Sequence, residues 1–243
     1  MDAARYKQQA AEEAVEFVTS GMIVGLGHGS TTAFAIERIG ERVRSGELRD
    51  ILCIPCSREV GHHAARLQIP LTTLDAHPTI DLTIDGADEV DPQLNLIKGG
   101  GGALLREKVV ASVSRREIIV VDGSKLSAAL GTHFALPVEV VPFACSVAKC
   151  ALESLGAAVR IRRRQDGSLF HTDQGNAILD ATFGPMGDAL LVAAALDAQP
   201  GVVEHGLFID LATDLVVADA SGVHHYRSPE ELAARMSLSL IHI

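Results

Sequence analysis

Apolar residues along this chain recur at two spacings, one helical and one extended, and the two alternate. Residues 2–20 carry Ala10, Ala14, Phe17 and Val18 on one helical face, and Gly21 ends the run. Met22-Ile23-Val24-Gly25-Leu26 then reads as a short buried strand. The same alternation predicts a helix over 30–48, a strand over 51–54, a helix over 57–67 and a strand over 80–84 that ends at Asp85. A strand over 94–98, a helix over 103–114 and a strand over 117–121 follow. Strands alternating with helices build a mostly parallel sheet covered on both faces. Ligands in such sheets lie beyond the carboxyl ends of the strands. The candidate chemistry of this chain sits at those ends.

After about residue 131 the rhythm changes. Strands are expected over 136–141, 158–161, 176–181 and 202–208, with helices over 145–155 and 188–198. The order β-α-β-β-α-β is that of a ferredoxin-like unit. Residues 215–218 and 223–226 read as strands that return to the first sheet. The expected fold is therefore α/β: a Rossmann-like, mostly parallel sheet domain with an inserted ferredoxin-like α+β domain. Residues 1–131 plus 208–243 would form the first and 132–207 the second. Residues 236–243 are unusually apolar for a chain end and suggest no function.

Composition narrows the classes. Of 243 residues, 47% are hydrophobic and 21% charged, which excludes a disordered chain. The formal charge of −10 argues against a non-specific hold on nucleic acid or an anionic membrane. An anionic ligand would have to be met by locally gathered donors. The opening residues are polar and run into a helix, unlike a secretory signal. No apolar run approaches the roughly 18 residues of a membrane span. Four cysteines without an export signal suggest free thiols in a reducing compartment, so a cytoplasmic location is expected.

Four segments carry candidate chemistry. Gly25-Leu26-Gly27-His28-Gly29-Ser30-Thr31-Thr32 joins a strand to a helix. Glycines allow close backbone approach, and the helix start offers unpaired N–H groups to an anion. It fits G-x-G-x-x-G poorly and lacks a Gly-Lys-Ser/Thr ending, which weakens a nucleotide reading. A tight turn with a serine cap is the plainer alternative. Asp85-Gly86-Ala87-Asp88-Glu89-Val90-Asp91 places four carboxylates at a strand end. Crowded carboxylates raise one another's pKa, which suits proton transfer or metal binding. The spacing fails the EF-hand template, and a solvated acidic turn is the bland reading. Lys98 precedes four consecutive glycines, Gly99 to Gly102, and Glu107 lies on the helix that follows. Ordering four glycines is entropically costly unless the backbone wraps a polar ligand. A lone Glu on a helix is usually solvated, but its neighbours here favour a site. Asp122-Gly123-Ser124-Lys125 ends a further strand with a lysine suited to phosphate.

Together these segments resemble ribose-5-phosphate isomerase of the A type. The matching stretches are GLGHGSTT, DGADEVD, KGGGGALLREK, DGSK and LPVEVVPFA, in the family's order and approximate spacing, and the similarity runs from the first helix to Phe208. The resemblance implies an aldose–ketose isomerase of the pentose phosphate pathway, acting on a pentose 5-phosphate through an enediolate. It implies no metal and no cofactor, and a homodimer or homotetramer. Carried over position by position, the catalytic base falls on Glu107, with Asp85 and Lys98 assisting. The phosphate turn falls on His28, Gly29, Ser30 and Thr31, with Lys7 and Lys125 as supporting cations. The sugar-binding acidic loop falls on Asp85, Gly86, Ala87 and Asp88, and the glycine loop on Lys98, Gly99, Gly100 and Gly101. His28 departs from the threonine many relatives carry in GTGST, which leaves the role of its side chain open.

Other signals are weaker. Cys53-Ile54-Pro55-Cys56, with His62 and His63 nearby, has C-x-x-C spacing but no second ligand pair. Residues 160–164 form a basic patch whose tail is expected in solvent, and His224-His225 is expected at the surface. Two rivals share related folds. A sugar-phosphate-sensing regulator would need room for a helix-turn-helix before Met22, and an acyl-CoA transferase would use a Glu as nucleophile.

Overall fold

The computed structural model of the chain describes residues 2–240. Its central sheet takes up β1 (Ile23–Leu26), β2 (Leu52–Pro55) and β3 (Leu82–Asp85), which alternate with helices α1 (Asp2–Val15), α2 (Thr32–Arg44) and α3 (Arg58–Arg66). A short hairpin follows, β4 (Glu89–Val90) and β5 (Leu96–Ile97), then α4 (Leu104–Ser112) and β6 (Glu117–Asp122). The next unit is β7 (Leu136–Val140), α5 (Cys145–Ser154), β8 (Ala158–Ile161), β9 (Ala177–Thr182), α6 (Ala189–Asp197) and β10 (Val202–His205). The chain closes with β11 (Leu207–Phe208), β12 (Asp214–Asp219), β13 (Gly222–Tyr226) and α7 (Pro229–Leu240).

The six-stranded sheet runs β13-β12-β6-β3-β1-β2, all parallel except the edge strand β13. Every residue of β6 is buried, as a strand covered on both faces requires. From β1 the chain steps outward to β2, then crosses back to β3 on the other side. Such a reversal opens a crevice beyond the strand ends, where doubly wound proteins bind ligands. The turn after β1 and Asp85 at the end of β3 border that crevice. The second sheet runs β10-β7-β9-β8, fully antiparallel. This is the spatial order of a ferredoxin-like unit, and helices α5 and α6 pack on it through Ala148, Leu152, Ala193 and Leu196.

Several expectations are corrected. Helix α1 ends at Val15 rather than at residue 20. Phe17 N–H donates to Ala14 O at 3.2 Å and Val18 N–H to Val15 O at 3.0 Å, so the helical pattern continues as tighter turns that still bury Val18. The strand expected over 94–98 shrinks to β5 and leaves the main sheet, pairing with β4 and β11. Asp91 causes this, because its carboxylate accepts the N–H groups of Gln93 and Asn95 and folds the segment into a turn. The run over 202–208 splits at Gly206. Its N–H donates to Pro137 O at 2.8 Å, in the four-stranded sheet, while its O accepts from Lys98 N at 2.9 Å. His225 is not a free surface residue, since its Nε2 lies 2.6 Å from Asp214 Oδ1 and its ring against Phe17. Helix α7 was not anticipated, and it absorbs the first part of the apolar run at 236–243; residues 241–243 lie outside the described residues. No helix among the described residues is long and apolar enough to cross a membrane.

Candidate active site

Lys98 sits at the centre of the crevice and is 1% exposed. Its Nζ reaches Asp85 Oδ2 at 2.9 Å, Glu107 Oε1 at 3.1 Å and the carbonyl of Gly86 at 2.5 Å. Three elements converge to make this cluster: Asp85 ends β3, Lys98 follows β5, and Glu107 lies four residues past the capping Ala103 of α4. Asp85 Oδ1 accepts the N–H groups of His28 at 3.0 Å and Gly86 at 2.7 Å, which ties the acidic loop to the turn after β1. Gly27 is needed there for space. A β-carbon on it would lie 2.1 Å from Asp85 Oδ1.

The electrostatics follow from burial. Taking Glu107 out of water pushes its carboxyl up to about 8, with Lys98 opposing the rise and Asp85 adding to it. Burial works against the Lys98 ammonium, but Asp85 and Glu107 outweigh it and hold its pKa above the usual lysine value. One oxygen of Glu107 is tied to Lys98. The other, Oε2, is buried without a hydrogen-bond partner among the described residues.

A cleft of about 280 Å³ opens beside this cluster. The predicted residues Lys7, Lys98, Glu107 and Lys125 line it, as do all those predicted in 28–31, 86–88 and 98–101. Asp85 lies beneath its floor, 1% exposed. At one end Lys7 Nζ donates to Ser30 Oγ at 3.0 Å, and Lys125 projects from a 3-10 turn, Gly123–Lys125, whose N-terminus Asp122 caps. Helix α2 begins here too, but Thr31 makes no side-chain cap, so the serine-capped turn is not the arrangement found. The His28 ring lies over Gly101, where a β-carbon would meet its Nε2 at 2.4 Å. His28 Nδ1 is 3.0 Å from Ser57 Oγ.

The acidic segment divides. Asp88 faces the cleft and its Oδ2 accepts Gly100 N–H at 2.7 Å. Glu89 turns away and holds the N–H groups of Gly131, His133 and Phe134, so it and Asp91 are structural. Sequence reasoning missed Ser57, Cys56 and Glu117. Ser57 carries an N-cap signature, accepting Val60 N–H, but nothing in sequence links it to His28. Cys56 is buried with its Sγ within 4.8 Å of the Asp85 and Glu107 carboxylates. That trio has metal-ligand spacing, yet the Lys98 ammonium already bonds both carboxylates, and burial pushes the Cys56 thiol well above its ordinary range. Asp197, Glu204 and His205 form a similar group, and Lys108 occupies it, bonded to Glu204 and to the carbonyl of His205. Cys53 packs in the core, while His62 and His63 line a separate groove beside α2.

The family described as Ribose 5-phosphate isomerase A (phosphoriboisomerase A) matches residues 52–222. The chain belongs to this family. A ribose-5-phosphate isomerase A of Chloroflexus aurantiacus is 58% identical over 219 residues, covering 90% of this chain and 92% of the relative. A probable ribose-5-phosphate isomerase 2 of Arabidopsis thaliana is 48% identical, covering 89% and 84%. Among solved structures, a D-ribose-5-phosphate isomerase in complex with phospho-erythronic acid superposes with a TM-score of 0.91 at 38% identity, covering 93% of this chain and all of that one. The ribose 5-phosphate isomerase A of Methanocaldococcus jannaschii gives 0.88 at 39% identity, covering 92% and 99%.

Proposed function

We propose that this chain is an enzyme interconverting D-ribose 5-phosphate and D-ribulose 5-phosphate through an enediolate, with Glu107 as the proton carrier. The observation that carries the reading is the Glu107 carboxyl itself. It is buried in the cleft wall, with one oxygen tied to Lys98 and the other unpartnered. A carboxyl so placed can take a proton from one sugar carbon and return it to the next, as general base and then general acid. Burial raises its basicity toward that task. Lys98 and the loop N–H groups would stabilise the oxyanion that develops on the sugar. Asp85, held by two backbone N–H groups and Lys98, would orient that ammonium and assist ring opening. Asp88 would bind a sugar hydroxyl.

Ser30, Thr31, Lys7 and Lys125 would hold the phosphate, whose binding energy positions the reacting carbons. The bound partner of the solved relative, phospho-erythronic acid, is a short phosphorylated sugar acid, which supports a phosphorylated sugar as the substrate class. The division into 1–131 plus 208–243 and 132–207, a cytoplasmic location and a homo-oligomer remain parts of the same proposal. Phe143, Leu190 and Leu191 stand out to solvent, as an unpaired subunit surface would. Turnover in D2O tests the chemistry. Proton transfer should place solvent deuterium on C1 of the ribulose 5-phosphate formed. Complete retention of the substrate's own C2 hydrogen, with no exchange under any condition, would indicate a hydride shift and exclude Glu107 as carrier.

A further inference from the structure

The basic patch over 160–164 does not lie wholly in solvent. Arg162, just past β8, folds inward and its side chain is 13% exposed. Its Nε donates to Asp180 Oδ2 at 3.0 Å and its Nη2 to Asp180 Oδ1, a fork-to-fork pair with β9. The remaining nitrogen, Nη1, donates to the carbonyls of both Gly99 at 2.9 Å and Gly100 at 3.0 Å. Phe170 closes the same corner. It fills the space beside Gly102, where a β-carbon would meet the ring at 2.3 Å, and the Arg162 guanidinium lies 5.8 Å from its centroid.

The direction of those two carbonyls matters more than the contacts themselves. In a planar trans peptide the C=O points opposite to the N–H of the next residue. With Gly99 O turned to Arg162, the N–H of Gly100 must face the other way, and it donates to Asp88 Oδ2 at 2.7 Å. With Gly100 O turned likewise, the N–H of Gly101 faces away from Arg162, on the side of the cleft that Gly101 lines. That N–H has no protein acceptor among the described residues. Gly99 O also accepts Gly102 N–H at 2.9 Å, which closes the loop as a turn, but a glycine run has no side chains with which to hold the Gly100 carbonyl, and Arg162 supplies that hold from outside.

We propose that Arg162 is a positioning residue, held by Asp180, that locks the glycine loop so that the free N–H of Gly101 is aimed into the cleft at the sugar. The proposal rests on the isomerase reading for what that N–H does, but not for how it is held. Lysine cannot replace the arginine, since one ammonium does not grip two carbonyls and a carboxylate in a planar fork.

The test uses Arg162→Ala and Arg162→Lys. Misplacing polar groups in an active site by about 1 Å can cost on the order of 100-fold. Arg162→Ala should therefore lose kcat by about that factor, while competitive inhibition by inorganic phosphate stays within about twofold, because the phosphate end does not touch Arg162. Added guanidinium should restore part of the lost turnover, and methylammonium should not. Arg162→Lys should fall between, by about tenfold, and it guards against an alanine variant that fails to fold. Amide hydrogen exchange at Gly100 and Gly102, whose N–H groups donate to Asp88 Oδ2 and Gly99 O, should quicken in both variants, a readout independent of activity. Wild-type kcat in either variant, or unchanged exchange in the loop, overturns the proposal. So does a loss of turnover matched by an equal loss of phosphate inhibition and not restored by guanidinium. If the wild-type protein fails to isomerise ribose 5-phosphate, the activity reading falls, while the exchange data still decide the role of Arg162.

Discussion

The two ends of the cleft are built on opposite terms. At one end Asp85, Lys98 and Glu107 are each no more than 4% exposed and are bonded chiefly to one another and to backbone. At the other, Ser30 is exposed and Lys7 and Lys125 are half-buried. Charges in the dry end interact strongly and shift each other's protonation, whereas charges at the wet end are screened and act mainly as a handle. The comparison assigns chemistry to the first and affinity to the second. It fails if substitutions at the two ends have interchangeable effects.

The largest expected effect is at Glu107. Glu107→Gln keeps the size and removes the proton acceptor, so kcat should fall by about 1,000-fold, within the range of general acid–base catalysis. Inhibition by inorganic phosphate should persist, because the wet end is untouched. Steady-state assays of ketose formation measure both. A glutamine variant with near-normal kcat would move the chemistry elsewhere.

Lys98→Met should injure the fold as well as turnover. It leaves Asp85 and Glu107 facing each other without their shared cation, and breaking a buried pair this way costs about 3–5 kcal/mol. Urea unfolding should show a loss near the lower figure, since Glu107 is already easily protonated. Unchanged stability would mean that the cluster is wetter than its burial implies.

Much of this difference was legible in the sequence, because part of each end is continuous in the chain. Strand, glycines and helix start identify the turn at 25–32, and Lys98 with Glu107 flank one loop. What could not be read is the support that arrives from distant segments. Alternation along β8 cannot say whether Arg162 meets water or a loop more than sixty residues earlier, and only the docking of the second sheet decides it. Glu89 looked equivalent to Asp85 and Asp88, yet the N–H groups it binds come from residues 131–134. Glu117 is buried at the start of β6 with both oxygens unpartnered among the described residues, and its neighbours Asp85, Lys98 and Glu107 come from three other elements. Helix α7 had a signal that was available. Ser228-Pro229-Glu230-Glu231 has capping-box spacing, and Ser228 Oγ accepts Glu231 N–H at 3.3 Å.

At the wet end the effects should be smaller and of another kind. Lys125→Ala removes a contact made alike in ground and transition states, so KM should rise about tenfold with kcat little changed. Phosphate should also become a poorer competitive inhibitor, and the gap between variant and wild type should narrow as salt screens the lysine. Titrating phosphate at low and high ionic strength measures both trends. If Lys125→Ala binds phosphate as well as wild type does, the anion lies elsewhere in the cleft.

The smallest effect is the most direct gauge of how dry the chemical end is. Burial lifts Glu107 from the ordinary carboxylate range to about 8, so the free enzyme holds it largely protonated at neutral pH. The value of kcat/KM reports the free enzyme. It should therefore rise with pH along an acid limb displaced well above the ordinary value of about 4.3, by about fivefold between pH 7 and pH 8. The same titration reaches stability with a definite sign. A carboxyl whose folded pKa is raised contributes stability that is full below its unfolded pKa and is lost as pH rises through the folded one. Glu107→Gln deletes that contribution, so the variant should gain on wild type across this window, as paired urea titrations would measure. Glu117 separates charge from mere crowding. Burial raises its carboxyl well above the usual range, with Asp85 adding, which favours the neutral form beside the cluster. With Glu117 in that form, Glu117→Gln exchanges one neutral group for another and should leave the acid limb where it is. If that substitution lowers the limb by a full unit, Glu117 is ionised in the native protein, and the chemical end admits more water than the contrast between the two ends allows.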